Sequence, residues 1–307
     1  MTQDKTLLVI DGSHLAYKCY FAVLQFKRKR FSRPGTTQTE IDYLAAEETC
    51  RMLGGLVQRL LECYKPTNAV IIFDDNRATD TFRYKLHSGY KQNRKKKLLH
   101  RDAFILFKTV VKSLGVNSWT VPEGYEADDL IGSIVTQFKP HFDSVLLHSG
   151  DKDFMQLVSR KVTMLNPNNV KIGREAVITP AVVKAEMGVW PNQVVDYKAL
   201  AGDSSDGYKG VDRVGEKSAV ELLEQFKDLD EIMAGLDQIK AKVVRNRLKL
   251  GYEDAMLCRT LAKIVTDLEL DFEPQDTQIT PNPRLYQLKM RDLRRMTRRY
   301  LTEEETT

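Results

Sequence analysis

The sequence predicts an α/β fold, a mostly parallel β-sheet wrapped by helices, followed by a second unit built of helices alone. Three observations carry that expectation. Short apolar runs, Leu7-Leu8-Val9-Ile10, Val70-Ile71-Ile72-Phe73 and Val145-Leu146-Leu147, recur between helical stretches, which is how strands buried on both faces of a parallel sheet read. Strand, turn and helix alternate to about residue 178, as in successive βαβ units. From residue 180 the strands stop, and helices joined by Gly/Pro turns take over.

Each element follows from its local pattern. Residues 13–23 have helical spacing after the first strand, and 31–38 form a polar loop with Gly and Pro. Residues 40–64 place Leu44, Leu53, Leu56, Val57, Leu60 and Leu61 on one face of a long amphipathic helix, which Lys65-Pro66 ends. Residues 76–101 break the rhythm with high charge. A helix over 103–114, a strand over 117–121 and a helix over 127–138 with acids in its first turn come next. Beyond 180, helices are expected over 180–187, 192–201, 217–226 and 229–234, with a basic helical stretch over 238–250 and another over 285–300. The boundary falls near residue 185, giving a core over 1–184, a helical unit over 185–290, and a basic helix with an acidic tail over 291–307.

A chain of 307 residues is large enough for one or two domains with a substantial core. Its net charge of +5 is mild, but the positive charge is concentrated. Between Arg77 and Arg101 nine Lys or Arg stand against one Asp, and Lys27-Arg28-Lys29-Arg30 with Arg33 forms a second run. Such segments suit a polyanion held at its phosphates; taken singly, each also reads as a solvated loop. Cys19, Cys50, Cys63 and Cys258 show no CxxC pairing and no zinc set, so they are expected as reduced thiols in a cytoplasmic protein. No stretch approaches the about 20 apolar residues of a membrane span.

The chemistry lies in nine acids in five clusters: Asp11, Asp74, Glu126-Ala-Asp128-Asp129, Asp151-Lys-Asp153 and Asp203-Ser-Ser-Asp206. Several follow apolar strands directly, and acids at the carboxyl ends of strands converge on one crevice. So many neighbouring carboxylates cannot all stay ionised without cations between them. Two divalent ions answer that need, and oxygen-only ligands favour Mg²⁺ or Mn²⁺ over zinc. Asp11-Gly-Ser13 alone also reads as a helix cap, and Asp74-Asp75-Asn76 as a turn. Three acids in four residues at 126–129 are harder to explain structurally, because they repel one another. In Gly210-Val-Asp-Arg-Val-Gly215-Glu-Lys217-Ser218, two glycines open a helix whose exposed amides could bind a phosphate and grip a duplex backbone without reading its bases. A plain helix connection is the alternative.

In chain order, Val9-Ile-Asp11-Gly-Ser-His-Leu-Ala-Tyr-Lys, Phe73-Asp74, Phe82-Arg83, Gly89-Tyr90-Lys91-Gln-Asn-Arg94, Gly124-Tyr-Glu126-Ala-Asp128-Asp129, Ser149-Gly-Asp151-Lys-Asp153-Phe and Leu200-Ala-Gly-Asp203-Ser-Ser-Asp206-Gly resemble the 5′ nuclease family. That family includes the N-terminal domain of bacterial DNA polymerase I, the stand-alone phage 5′ exonucleases and the flap endonucleases. The match runs from residue 7 to about 226. It implies a PIN-like core with a helical arch over about 80–105, then a helix-hairpin-helix (H3TH) DNA-binding unit. It further implies a Mg²⁺-dependent 5′-3′ exonuclease and flap endonuclease that cuts flaps, nicks and RNA primers during replication. By motif position, Asp11, Asp74, Glu126 and Asp128 serve the first ion, and Asp129, Asp151, Asp153, Asp203 and Asp206 the second or its water shell. Lys91 and Arg94 match the catalytic basic pair at the base of the arch, with Arg83 as a further phosphate contact. Tyr90, Gly210, Gly215, Lys217 and Ser218 are the implied DNA-binding residues.

The chain departs from the family pattern in places. Gly207 and Lys209 stand where Asn and Pro are usual, and Arg213-Val214 replaces Gly-Ile. The added side chain at 213 lies beside the hairpin carbonyls that in relatives bind a monovalent cation, so K⁺ is an expectation with a departure attached. No polymerase domain follows and no Gln-x-x-Leu-x-x-Phe-Phe tail is present, which points to the stand-alone, phage-like branch, acting as a monomer with DNA and replication proteins as partners. A PIN-like ribonuclease acting on single-stranded RNA and a catalytically silent DNA-structure binder remain rival readings. A haloacid-dehalogenase-type phosphatase fits poorly, since it wants Asp-x-Asp after its first strand.

Overall fold

Alternation along the first strand organises the core. In the computed structural model, which describes residues 4–31, 37–74, 80–92, 101–171 and 174–302, β1 spans Thr6–Asp11. Leu7 and Val9 face one side of the sheet, Leu8 and Ile10 the other, and all four are fully buried. The other strands are β2 (Asn68–Ile72), β3 (Ser144–His148), β4 (Val162–Lys171) and β5 (Arg174–Ile178). They lie in the order β2-β1-β3-β4-β5; β1 pairs in parallel with both β2 and β3, β4 continues in parallel, and β5 returns antiparallel. The chain thus leaves β1 for β2 on one side and reaches β3 on the other. The crevice beyond the carboxyl end of β1 is the switch point at which such sheets bind ligands.

One face of the sheet packs against α1 (Gly12–Phe31), α2 (Gln38–Tyr64) and α4 (Arg101–Ser113). The other packs against α5 (Ala127–Phe138). The short α3 (Phe82–Leu86) lies beside α5, where Arg83 meets Glu126 and Asp129. The helical unit holds α6 (Pro180–Met187), α7 (Val194–Ala201), α8 (Glu216–Gln225), α9 (Leu229–Ala234), α10 (Lys242–Leu250) and α11 (Tyr252–Ala262). Its apolar residues join the α5 face in one continuous core, so the two parts are fused through a shared interior. Among the described residues no helix is long and apolar enough to cross a membrane.

Three expectations change. The first helix runs on to Phe31 and takes the 27–30 basic run into its backbone. The strand expected over 117–121 shrinks to a single bridge, Asn117 to Val70; Asn117 turns its side chain to the Asp276 carbonyl at 2.8 Å, and the chain leaves the sheet. Helix α11, absent from the sequence reading, follows α10 directly at Gly251. From residue 263 the chain returns across the α/β core. There Val265 N–H donates to Asp129 Oδ1 at 2.9 Å, Phe272 stacks on Trp119 at 3.9 Å, and Gln278 bridges Asn68. Helix α12 (Pro283–Thr302) then packs on α2 and α4. Together Asn117 and Gln278 cover the outer edge of β2, which would otherwise stay open to pairing with another chain.

Phe272 is the anchor of this return. It lies between Trp119 and Phe138, whose ring meets it edge-on at 5.7 Å, and it is 7% exposed. Phe272→Ala is expected to cost about 3–5 kcal/mol of unfolding free energy, read as a lowered midpoint in urea. A loss below about 1 kcal/mol would mean that the return segment merely lies on the surface.

Candidate metal centre

Two clefts meet at the carboxyl end of β1. The first, of about 460 Å³, is lined by Asp11, Asp74, Glu126, Asp128, Asp151 and Lys91 among others. Asp11 ends β1, and its two oxygens accept from the His14 backbone N–H at 2.9 Å and the Ser149 hydroxyl at 2.8 Å. The Ser149 bond ties the ends of β1 and β3 together, and the His14 bond caps the start of α1. Asp74 follows β2 and donates its backbone N–H to Ser13 Oγ at 2.6 Å. Glu126 caps α5 and Asp128 sits in its first turn. Burial pushes Asp11 above the ordinary carboxylate range, against the His14 charge and the Ser149 bond. Asp128 is pushed well above it, by burial first and then by the charges of Asp151, Glu126 and Asp11, with Lys91 opposing. Burial acts on Glu126 too, but Lys91 and Arg83 outweigh it and hold that carboxyl low.

The second cleft, of about 1340 Å³, is lined by Asp151, Asp153, Lys198, Asp203, Tyr208 and Lys217 among others. Asp151 and His14 line both clefts, so the two compartments share a wall. His14 Nε2 is buried there without a hydrogen-bond partner. Asp151 caps the short 3-10 turn Lys152–Leu157, accepting the Asp153 N–H at 3.0 Å. Lys198, on α7, reaches back between Asp153 and Asp203. Burial and the Asp151 charge raise the Asp153 carboxyl to about 6. On Asp203 the effect of burial is overcome by Lys198 and by bonds from Ser205, and its pKa is lowered.

Among the described residues no three carboxylate, imidazole or thiol groups close around a single point as they stand. Ammonium groups sit among them instead: Lys91 on Glu126 at 2.6 Å, and Lys198 on Asp203 at 2.8 Å and on Asp153. The donor chemistry fits divalent ions. It is oxygen-only, clustered and partly desolvated, and a hard cation would remove the cost that raises Asp11 and Asp128.

The structure separates several expected site residues from these clefts. Arg83, the expected phosphate contact, is 2% exposed and lines neither cleft. Its guanidinium makes two 2.7 Å bonds to Asp129 and one of 3.1 Å to Glu126, and it donates to the Leu261 and Lys263 carbonyls. Asp129, expected at the second ion, is fully buried, and its oxygens are taken by Arg83 and by the Glu126 and Val265 backbone N–H groups, which makes it the counter-ion of Arg83 here. Tyr90, 4% exposed, donates to Glu126 at 3.0 Å, so it orients that carboxylate and offers no surface to DNA. Asp206 is 2% exposed and lines neither cleft. Its carbonyl accepts the Lys91 backbone N–H at 2.8 Å. Arg94 and the apex of the expected arch lie outside the described residues.

That Lys91 contact joins the 80–92 segment to the second unit. Gly207 completes the junction with φ +84°, where a Cβ would lie 2.5 Å from the Gly89 carbonyl; a side chain there would push the two segments apart. In the hairpin, Gly210 is buried with φ +68°, and Arg213 takes φ +61°, the left-handed shape that Gly adopts more easily. Gly215 and Lys217 are exposed at the start of α8, with Ser218 half-buried beside them. Sequence reasoning missed Lys198 and Tyr208. A signal existed for the first: Lys198 lies in α7, Val-Val-Asp-Tyr-Lys-Ala-Leu-Ala, between buried Val194 and Leu200.

Comparison with known proteins gives matches over almost the whole chain. Residues 6–188 match the family model described as 5′-3′ exonuclease, N-terminal resolvase-like domain, and residues 189–284 match 5′-3′ exonuclease, C-terminal SAM fold. DNA polymerase I of Caldicellulosiruptor bescii is 34% identical over 292 residues, covering 92% of this chain and 32% of that protein. The chain thus spans about a third of the length of the polymerases it matches. A 5′-3′ exonuclease of Buchnera aphidicola subsp. Acyrthosiphon pisum is 29% identical, covering 89% of this chain and 91% of that protein. Among solved structures, a bacteriophage T5 flap endonuclease in a pseudo-enzyme-product complex with DNA and metal ions superposes with TM-score 0.65 at 18% identity, covering 96% of this chain and 100% of that one.

Proposed function

Because this chain belongs to the 5′-3′ exonuclease family, we propose that it hydrolyses phosphodiester bonds near DNA 5′ ends. It acts on flaps, nicks and RNA primers, as a Mg²⁺- or Mn²⁺-dependent exonuclease and flap endonuclease. The observation that supports this most is Asp151 lining both acid clefts, since two adjoining compartments suit one phosphodiester held from both sides. Asp11, Asp74, Glu126, Asp128 and Asp151 would hold one ion, and Asp151, Asp153 and Asp203 the other. Bound there, divalent ions would acidify water and neutralise charge on the phosphoryl oxygens.

The protein's own groups do the rest. Lys91, anchored on Glu126 and 8% exposed at its side chain, presents positive charge to the transferred phosphate at the edge of the first cleft. The amides opening α8, with Lys217 on the rim of the second cleft, take a backbone phosphate of the adjoining duplex. K⁺ at the hairpin, a cytoplasmic monomer and recruitment by replication proteins complete the proposal.

The direct test follows a labelled 5′-flap duplex in Mg²⁺ and in EDTA, beside a single-stranded RNA control. A Mg²⁺-dependent product cut near the flap junction is expected. Cleavage of the RNA alone would hand the site to a ribonuclease. Lys91→Ala is expected to lower the single-turnover rate about 100-fold, with flap affinity nearly unchanged; an unaltered rate would remove Lys91 from the chemistry.

A further inference from the structure

We propose that Lys198 is a resident cation of the second compartment, holding Asp153 and Asp203 together in the metal-free protein and expelled from between them when a divalent ion binds. This rests on reading the clefts as divalent sites. The Lys198 side chain is 7% exposed, and its Nζ contacts Asp203 Oδ2 at 2.8 Å and Asp153 Oδ1. Both carboxylates keep about a sixth of their side-chain surface open to the cleft, at 18% and 16%, so they are reachable from solvent while the ammonium is enclosed. An ammonium and a divalent ion between the same two carboxylates would repel strongly at such separations. Exchange is therefore favoured over coexistence.

A second observation marks the compartment as incomplete. Tyr208 lines it at 4% exposure, and its hydroxyl is shielded from solvent without a hydrogen-bond partner. A buried hydroxyl left unpaired carries a desolvation cost, which an arriving hydrated ion would relieve by offering a water oxygen. The displaced ammonium also has somewhere to go, since Glu186, Glu216 and Glu221 line the same 1340 Å³ cleft. In the first compartment Lys91 holds Glu126 at 2.6 Å, whereas Lys198 bridges two acids of the second. The second compartment must therefore load more weakly than its carboxylates alone would allow, by whatever it costs to move Lys198.

The test uses the full chain without DNA. An amine-reactive reagent is applied in EDTA and in saturating Mg²⁺, and labelling of the Lys198 peptide is read by mass spectrometry. Slow labelling in EDTA and at least about fivefold faster labelling in Mg²⁺ are expected; unchanged or slower labelling would overturn the proposal. Calorimetric titration with Mn²⁺ gives an independent reading. Wild type should take two ions unequally, and Lys198→Met should tighten the weaker one at least about fivefold while lowering the metal-free melting temperature by about 5 °C or more, a loss that Mn²⁺ restores. Equal or weaker binding in the variant counts against the exchange. If that variant does not fold, Tyr208→Phe serves, since it removes only the hydroxyl. Weaker binding of the second ion with an unlowered melting temperature supports the assignment, and unchanged binding overturns it. Failure of wild type to bind Mn²⁺ at all would sink the divalent reading itself, whereas two bound ions with Lys198 still protected would sink this inference alone.

Discussion

Asp151→Asn is expected to reduce single-turnover cleavage of a 5′-flap duplex in Mg²⁺ by at least about a thousandfold, roughly 4 kcal/mol of transition-state stabilisation. Asp151 is the acid that faces both clefts, so removing its charge weakens both ion positions at once. The amide keeps its size and can still accept the Asp153 N–H, so fold and flap affinity should hold. Binding measured in EDTA separates these effects, because it needs no ion. If cleavage falls by less than about tenfold, Asp151 is no shared ligand and the two-compartment reading fails.

Arg83→Met is expected to cost about 3–5 kcal/mol of stability, because it leaves Asp129 without its buried counter-ion and Glu126 with Lys91 alone of its two. The Leu261 and Lys263 carbonyls lose their donor as well. For a chain of this size the melting temperature should fall by about 10 °C. The double variant Arg83→Met with Asp129→Leu should recover part of that loss, since the unpaired charge goes with its partner. A phosphate contact would behave in the opposite way, with weaker DNA binding and an unshifted melting temperature. That result would return Arg83 to the substrate-binding surface.

The sheet and three of its acids were legible in advance. Asp11, Asp74 and Asp151 each follow an apolar run, and the α/β alternation alone puts such positions at one edge of a parallel sheet. Helix α5 spans the expected 127–138 because its apolar spacing is local and its first turn is marked by acids. Asp129 shows where that reading stops. Within Glu126-Ala-Asp128-Asp129 the three acids look equivalent, yet Asp128 opens into the cleft while Asp129 points to Arg83. Which is which depends on the rotation of α5 against the sheet and on a guanidinium 46 residues earlier. Residues 263–282 were unreadable for a related reason. They carry little regular structure, and what orders them is a docking surface made by α5, β2 and Trp119.

The sequence by itself determined the α/β class, the change to helices after β5, and the gathering of carboxylates at the ends of β1, β2 and β3. Those are properties of periodicity and of residue type at strand ends, and neighbouring residues set them. The tertiary structure alone decided which charges face the clefts and which are enclosed in the fold. Arg83 was given to Asp129, Tyr90 to Glu126, and Lys198 to Asp153 and Asp203. A charge withdrawn from water must find a partner wherever the packing brings one, and three of these four pairings span 35 residues or more of chain.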